Sequence, residues 1–503
     1  MSRPWIRGCL LSQVLAFFFA TNLYAQTNFV YTNDDVSGQN TVSGFAVAGN
    51  GALTPVPGSP FLTGGTGTGG GLLAVNRATT CSTQKLIYVS NAGSNNVSGF
   101  SVDPSTGRLT LVPGSPFPTG GLSLGGIALA CTPDGRFLMA ASGGSSDITV
   151  FSIAGDGALT PAGSPFATTV APEGIKISPD GKFLAAALTG INSMEMFSIA
   201  LNGSLALVPD SPFLGASADG ALAGVDINCA STVMFGVART TIVDVFDIAT
   251  NGALTPRSPF TPGVGVSSGV VLLSPNERLL FVSNQSKSVT VASVAPNASL
   301  SLVTGSPFAA PGSNLPSGMA MDQAGNFLYV ADGGKDVADG GKVYGYTVAN
   351  NGELAPVHDS PFLPTLLPNQ PSRVLSLTAF PGKTCNQPPD CSAAIASPST
   401  VWPPTGEMVP ISLSGVTDPD GDPVTITATS VSNSEQRYRG CSGDATCSPL
   451  AVRAERDGDG DGRVYKIQFT ASDGRGGACT GEVNVCVPHD QGHDSPCGDG
   501  DDD

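Results

Sequence analysis

Short apolar runs bounded by turn-forming residues recur along most of the chain. Residues 97–102 and residues 327–331 are two of these runs, and each is flanked by Gly, Asn, Asp or Pro. Runs that are rich in Val, Tyr, Phe and Thr and are bounded in this way are typical of β-strands joined by tight turns. The pattern therefore predicts an all-β fold.

A tripeptide repeat indicates how these strands are grouped. Ser-Pro-Phe occurs seven times, at intervals of 47 to 56 residues, beginning at Ser59, Ser115, Ser164, Ser211, Ser258, Ser306 and Ser360. A period of about 50 residues is typical of the blades of a β-propeller. Most repeats contain an Asn-Gly or Asp-Gly hairpin turn, such as Asn50-Gly51, and have room for four strands. We predict a seven-bladed β-propeller.

The two ends of the repeat region are predicted to complete one blade together. Residues 29–32 correspond to the second strand of blade 1, whereas its inner strand occurs only at residues 374–379. Pairing of these segments closes the ring and leaves no free sheet edge. The Pro of each triplet ends an outer strand, and we expect the Phe to pack between adjacent blades.

Two further motifs resemble those of a known propeller family. Val30-Tyr31-Thr32-Asn33 and Tyr88-Val89-Ser90-Asn91 are similar to the Tyr-Val-Thr-Asn signature of the lactonase, or YVTN, family. Ser178-Pro179-Asp180-Gly181 is similar to the Pro-Asp-Gly turn of that family. The resemblance covers about residues 28–383 and implies the propeller fold. The family includes 6-phosphogluconolactonase-type enzymes, cyclases and proteins of unassigned role, so the resemblance alone implies no single activity.

The first 25 residues are expected to be a secretory signal. Arg3 and Arg7 precede an apolar run that is shorter than a membrane-spanning helix needs, and residues 23–25 suit a cleavage site. We therefore expect a secreted protein, periplasmic or at the cell surface, with no transmembrane segment after cleavage. Ten cysteines remain, and export favours disulfides, including one between Cys441 and Cys447.

Beyond the propeller, predicted for residues 26–383, the composition changes. A linker over residues 384–390 leads to a region of alternating strands over residues 391–488, which suits a second, small β-sandwich domain. Its turn at residues 418–422 resembles turns in immunoglobulin-like and cadherin-like bacterial modules. Residues 489–503 form an acidic tail, which we expect to be disordered.

The charge distribution excludes one class of partner. From Cys385 onward there are 7 Lys/Arg and 19 Asp/Glu, which accounts for −12 of the net charge of −17. The propeller has little net charge and no basic patch, so nucleic-acid binding is not expected.

An aspartate-rich turn in the C-terminal region offers two interpretations. Asp457, Asp459 and Asp461 alternate with glycines ahead of Gly462, in a pattern similar to the start of an EF-hand calcium loop. Gln468 occupies the twelfth position, where that loop needs an acid. The sequence favours a solvated turn over a calcium site, and no cofactor is expected to be required.

A candidate site is predicted on the propeller face where loops enter the inner strands. The charged residues expected on this face are Glu173, Asp219, Arg239, Lys335, Asp336, Asp339 and Arg373. Lactone hydrolysis needs a base to activate water and a cation to hold the developing oxyanion. Glu173 is the candidate base and Arg239 or Arg373 the candidate cation. Lys335, Asp336 and Asp339 are candidate ligand-binding residues in a glycine-rich loop.

Two functions remain open from the sequence. Lactonase relatives commonly carry Pro-Arg-His ahead of an inner strand, whereas this chain has Pro172-Glu173-Gly174 and no His in the other matching stretches. We therefore favour an extracellular binding or surface-interaction protein, monomeric, with a small-molecule, carbohydrate or protein ligand. The alternative is a lactone hydrolase with a divergent channel site. Convergence of Glu173 with the arginines favours hydrolysis, whereas scattered charges favour binding.

Overall fold

The structure is a computed structural model that is almost entirely β. It describes residues 28–70, 75–123, 126–216, 222–239, 242–262, 268–313, 316–333, 341–367, 373–386, 388–419, 422–435, 441, 443–458, 462–473 and 477–490. Within these ranges the helical structure is one short 3-10 helix, Ser82–Gln84. No helix in the described part of the chain is long and apolar enough to cross a membrane.

Seven antiparallel sheets of four principal strands form the seven blades. From the inner to the outer strand they are Ser376–Phe380, Phe29–Asn33, Gly44–Val47 and Leu53–Pro55 in blade 1; Ala78–Cys81, Leu86–Asn91, Asn96–Val102 and Leu109–Leu111 in blade 2; Ile127–Cys131, Phe137–Ser142, Asp147–Ile153 and Leu159–Pro161 in blade 3; and Pro172–Ile177, Phe183–Leu188, Ser193–Ile199 and Leu205–Leu207 in blade 4. The remaining sheets are Leu222–Ile227, Val233–Ala238, Val243–Ile248 and Leu254–Pro256 in blade 5; Ser268–Leu273, Leu279–Asn284, Ser288–Val294 and Leu300–Leu302 in blade 6; and Pro316–Met321, Phe327–Asp332, Lys342–Val348 and Leu354–Pro356 in blade 7. The predicted fold class is confirmed.

Short strands that follow the outer strands extend four of the blades. Phe117–Pro118, Phe166–Ala167, Phe213–Leu214 and Phe308–Ala309 each pair with the third strand of their own blade. After blade 1, Phe61–Thr66 pairs with Gln39–Val42 in a separate two-stranded sheet. Phe61–Thr66 and the four short strands all begin at the Phe of a Ser-Pro-Phe triplet, so the triplet marks the end of one outer segment and the start of another.

The ring closes as predicted. Ser376–Phe380 pairs antiparallel with Phe29–Asn33, which makes it the inner strand of blade 1. The paired strand begins two residues later than the predicted segment. Each inner strand contacts the inner strand of the next blade around the whole ring. Both ends of the propeller region therefore share one sheet, and the inner strands enclose a central channel.

Tyrosine hydroxyls of the Tyr-Val-Thr-Asn-like segments join neighbouring blades. Tyr31 Oη donates to the carbonyl of Gly107 at 2.6 Å, and Tyr88 Oη donates to Gly157 at 2.8 Å. Tyr329 of blade 7 reaches Gly51 of blade 1 at 2.8 Å. Each bond links a second strand to the hairpin turn of the next blade, so the signature helps to hold the ring together.

The Ser-Pro-Phe triplet has the predicted structural role. Ser59 Oγ accepts the Gly44 backbone N–H at 3.0 Å, and Ser115 Oγ accepts that of Gly99 at 3.1 Å. Phe61 belongs to a buried cluster that includes residues of both blade 1 and blade 2. The hydroxyl thus anchors the loop to the third strand, while the ring packs between blades.

The C-terminal region forms the small β-domain. Its strands are Ile395–Ser397, Met408–Pro410, Ser412–Ser414, Thr425–Asn433, Ala445–Cys447, Leu450–Arg453, Gly462–Ser472 and Ala478–Pro488. They form one two-stranded and two three-stranded sheets that share a single buried core, with Val452, Ile467 and Val485 fully buried in it. Among the described residues, the disulfides Cys391–Cys479 and the predicted Cys441–Cys447 cross-link this domain.

Two further disulfides belong to the propeller. Cys81–Cys131 joins the inner strands of blades 2 and 3. Cys229–Cys385 joins blade 5 to the segment that follows the closing strand, across 156 residues of sequence. In the chain-entropy account, a cross-link over so long a loop removes about 5 kcal/mol of unfolded-state freedom. The second bridge thus secures the chain end that completes the ring.

Candidate functional site

The predicted site residues of the propeller were expected on the face at which inner strands begin and second strands end, which we call the upper face. The predicted residues on this face that the structure describes are Glu173, Arg239 and Arg373. Those that lie outside the described residues are Asp219, Lys335, Asp336 and Asp339. The ligand-binding role of the glycine-rich loop therefore stays a prediction.

Glu173 lies at the start of the inner strand of blade 4, Pro172–Ile177. The register with the second strand shifts between Pro172 and Gly174, so Glu173 is the extra residue of a β-bulge. A bulge takes a residue out of the ladder and redirects its side chain. Only 1 % of Glu173 is exposed. A carboxyl group is thus held in the wall of the channel, where burial must be offset by hydrogen bonds or a cation.

Arg239 supplies that cation. It follows the second strand of blade 5, and its Nε donates to Glu173 Oε2 at 3.2 Å while Nη2 contacts Oε1. Thr189 of blade 4 donates from Oγ1 to the same Oε2 at 3.3 Å. The Arg239 side chain is 29 % exposed, so it lies between the buried carboxylate and solvent. The structure therefore brings together two of the three predicted catalytic residues.

Opposing effects set the proton affinity of Glu173. Burial is the largest and raises the pKa of this carboxyl, whereas Arg239, Thr189 and the more distant Arg77 lower it. The net result is a pKa above the ordinary value for glutamate. A carboxylate with a raised pKa is a stronger base than an exposed one, so Glu173 is suited to accept a proton.

Arg77 is a charged residue of this face that the sequence analysis did not identify. It has no exposed area, and its Nη1 lies 3.0 Å from Asp35 Oδ1. Its carbonyl accepts the backbone N–H of Ser90, so Arg77 occupies the register position at which Gly174 and Gly224 lie in blades 4 and 5. An arginine where other repeats have glycine was a signal that alignment of the inner strands would have revealed.

Residues 75 and 76 cross the channel next to the pair. The Val75 backbone N–H donates to the Glu173 carbonyl at 3.0 Å, and Asn76 Nδ2 donates to the Ile175 carbonyl at 3.0 Å. Val75 also shares a buried cluster with Val270 of blade 6 and residues of blade 7. A segment leading into blade 2 thus contacts blade 4 and belongs to one buried cluster with residues of blades 6 and 7, so it lies inside the ring.

Arg373, the third predicted catalytic residue, lies at blade 1. Its backbone N–H donates to the Asp34 carbonyl at 3.0 Å. The Asp34 side chain is buried, and burial raises its pKa to about 7 despite the hydroxyls of Thr32, Thr41 and Ser43. The described contacts therefore place Arg373 in the packing around blade 1, and Arg239 rather than Arg373 is the cation at Glu173.

The aspartate turn is described only in part. Asp459 and Asp461 lie outside the described residues, whereas the Asp457 backbone N–H donates to Glu435 Oε1 at 2.8 Å. Among the described residues, no cluster of three or more His, Cys, Asp or Glu could hold a metal ion. Calcium binding by this turn stays a prediction.

Calcium binding is tested by a thermal melt of the full chain. The solvated-turn interpretation predicts equal melting curves in millimolar Ca²⁺ and in chelator. A calcium site would instead raise the melting temperature in Ca²⁺, because a ligand bound only to the folded state stabilises it by mass action. An increase that disappears in Asp459→Asn would contradict the solvated turn.

Comparison with known proteins points to one family of propellers. Residues 21–216 match the family model described as Lactonase, 7-bladed beta-propeller. No curated protein matches the chain. Among solved structures, a proposed 6-phosphogluconolactonase from Bacteroides fragilis is 18% identical, with a TM-score of 0.56, over 71% of this chain and 98% of its own. The periplasmic gluconolactonase PpgL of Pseudomonas aeruginosa is 17% identical, with a TM-score of 0.54, over 70% and 98%.

At these identities the solved structures establish the fold alone. The predicted immunoglobulin-like character of the C-terminal domain stays a prediction. The match to residues 21–216 and the similar propellers together support the lactonase seven-bladed β-propeller family.

Proposed function

We propose that the propeller hydrolyses an unphosphorylated lactone on its upper face. The observation that carries this proposal is the contact between the buried carboxylate of Glu173 and the partly exposed guanidinium of Arg239. Convergence of Glu173 with the arginines is expected of a hydrolase, and Arg239 meets this expectation whereas Arg373 lies apart at blade 1, so the pair favours the hydrolase alternative. An extracellular binding role stays a prediction.

The pair suits a hydrolysis in which Glu173 is the general base. Glu173 takes a proton from water while the water oxygen forms a bond to the carbonyl carbon of the lactone. Arg239, whose side chain is 29 % exposed beside Glu173, stabilises the resulting oxyanion with its positive charge. Collapse of this intermediate breaks the ring C–O bond, and the proton on Glu173 passes to the leaving alkoxide. One lactone and one water give one hydroxy acid.

The carboxylate retains capacity for the water. Oε1 accepts from Arg239, and Oε2 accepts from Arg239 and Thr189, among the described donors. A carboxylate has about four lone-pair positions, so these contacts leave one position for a water molecule. Thr189 and Arg239 fix the orientation of the carboxylate, which reduces the entropy that the reaction must overcome.

The charge of the upper face favours an unphosphorylated substrate. A phosphate group needs several cations or a backbone anion site. Of the arginines placed on this face, Arg77 is ion-paired with Asp35 and Arg239 with Glu173, and Arg373 lies apart at blade 1. The charges of Arg77 and Arg239 are already balanced by carboxylates. The proposed substrate therefore differs from the phosphorylated lactone in the name of the Bacteroides fragilis propeller. It is more similar to the unphosphorylated lactone in the name of PpgL.

We further propose that the protein works outside the cytoplasm. The predicted signal and the four disulfides placed within the described residues support an oxidising compartment. Phosphorylated sugar lactones are chiefly cytoplasmic metabolites. The proposed location of the protein and the charge of the upper face therefore both favour a substrate without a phosphate group.

The test is hydrolysis by the purified chain of residues 26–503. Acid release from glucono-1,5-lactone and from its 6-phosphate is followed at constant pH, with the spontaneous rate subtracted. We expect turnover of the unphosphorylated lactone and little or none of the phosphate ester. Faster turnover of the ester would contradict the proposed substrate class, and turnover of neither would contradict lactone hydrolysis on this face.

A further inference from the structure

The channel contains a cavity that Asn76 helps to line. It has a volume of about 500 Å³ and is lined by residues from the inner strands of all seven blades. Most of the lining is apolar, including Leu129, Ile177, Met319 and Leu377. A volume of this size suits a small organic molecule. Neither Glu173 nor Arg239 is among its described lining residues, so this cavity is distinct from the Glu173 site.

The segment that follows the closing strand spans the lower mouth of this cavity. Gly382 N–H donates to Ser82 Oγ of blade 2 at 2.9 Å, and Thr384 Oγ1 accepts from Gln323 Nε2 of blade 7 at 3.0 Å. Cys385 is bonded to Cys229 of blade 5. Residues 382–385 thus cross the channel from blade 2 to blade 5, and this segment, which we call the strap, carries Lys383 into the cavity wall.

The charges that line the cavity have one sign. The charged residues among its described lining are Lys176 and Lys383, with no Asp or Glu. Asp226 lies behind this wall, with its Oδ1 2.8 Å from Lys176 Nζ. Its Oδ2 accepts the Leu273 backbone N–H at 2.8 Å. Asp226 is therefore shared between Lys176 and Lys383, and both of its oxygens are already engaged.

Lys176 forms a close ion pair with Asp226, whereas the described hydrogen-bond partner of Lys383 is an uncharged carbonyl. The Nζ of Lys383 donates to the Leu273 carbonyl at 3.3 Å, which is its one acceptor among the described residues. Burial and the neighbouring Lys176 lower the pKa of Lys383, while Asp226 and Glu277 act in the opposite direction. Glu277 does not line the cavity. An ammonium group in this setting gains more from an added anion than an exposed lysine would.

We propose that this cavity binds a small monocarboxylate, with the carboxylate on Lys383 and Lys176 and an apolar body against the inner strands. The ligand carboxylate gives the Lys383 ammonium a charged acceptor in addition to the Leu273 carbonyl. The Lys176 side chain is 33 % exposed, so the site is open to solvent. The apolar lining favours an aliphatic or aromatic acid over an inorganic anion. The proposal does not depend on lactone hydrolysis.

The experiment is calorimetric titration of the full chain with benzoate and, separately, with its neutral isostere benzamide. Benzoate is expected to bind one site per chain and benzamide at least tenfold more weakly, on the order of the loss of one charge-assisted hydrogen bond. Lys383→Gln should lower the affinity for benzoate by about tenfold or more for the same reason. Lys182→Gln is the matched control, because Lys182 is 70 % exposed on the same blade as Lys176.

Further variants make the outcomes distinct. Lys176→Gln is expected to weaken benzoate binding as well. It replaces Lys383→Gln as the test if that variant disturbs the strap. Glu173→Gln should bind benzoate like the wild type, even though it loses any hydrolytic activity. Equal affinities for benzoate and benzamide, no saturable binding, or unchanged binding in both lysine variants would overturn the proposal. Loss of hydrolysis alone would leave it standing.

Discussion

A chain that ends at Asn369 is expected to lose the cooperative thermal unfolding of the propeller, or to melt at least about 10 °C below a chain that ends at Lys383. The shorter chain lacks Ser376–Phe380, the inner strand of blade 1. Burial of its Leu377 and Phe380 contributes roughly 1.5–3 kcal/mol for each side chain. Its removal also exposes the edge of Phe29–Asn33 as a template for aggregation.

The comparison isolates the closing strand. Both chains lack Cys385, and hence the bridge to Cys229, so the disulfide does not contribute to the difference. Leu377→Asp in the full chain provides an independent check, because it places a carboxylate at a position that is only 6 % exposed. Equal melting temperatures for the two shortened chains, measured by circular dichroism, would show that the strand does not stabilise the ring.

Replacing Glu173 by Gln is expected to lower kcat/KM for glucono-1,5-lactone by ~10²-fold or more, since an amide cannot accept the proton of the attacking water. The side chain keeps its size and its place beside Thr189, so folding should be retained. Arg239→Met is expected to lower kcat by a similar order, because the oxyanion loses its cation. Initial rates above the spontaneous background give both values.

Glu195→Gln is the matched control for this substitution. Glu195 belongs to the same blade, is 2 % exposed, and accepts hydrogen bonds from Thr169. The two variants make the same chemical change at the same depth in the same blade. If Glu195→Gln loses as much activity as Glu173→Gln, the loss reflects damage to blade 4 rather than removal of a base.

Local patterns were sufficient to predict the propeller. The triplet, the hairpin turns and the alternating runs depend on near neighbours, so they predicted the blade count and the pairing of residues 374–379 with blade 1. The strand limits shifted by one or two residues, because ladder pairing rather than hydrophobicity decides where Ser376–Phe380 begins. The bridge between Cys441 and Cys447 was predictable from their proximity.

The channel contents depend on contacts between distant parts of the chain, and the sequence does not encode these locally. Arg77 meets Asp35, and Lys383 reaches the blade 4 and 5 charges, only after the ring has closed. The pairing of Cys229 with Cys385 is likewise a matter of topology, because connectivity cannot be deduced from cysteine positions alone. Glu173 and Arg239 were predictable as members of one face, but the sequence could not show which arginine would contact the carboxylate.

The dependence of kcat/KM on pH tests most directly whether Glu173 is the base. Hydrolysis needs its ionised form, and burial raises the pKa of this carboxyl above its ordinary value. Activity should therefore fall as the pH drops through that raised pKa. The midpoint of this acid limb of the pH profile should lie above the ordinary glutamate pKa of about 4.3. We expect this limb in the wild type and in Glu195→Gln but not in the residual activity of Glu173→Gln. An unchanged limb in Glu173→Gln would show that Glu173 is not the base.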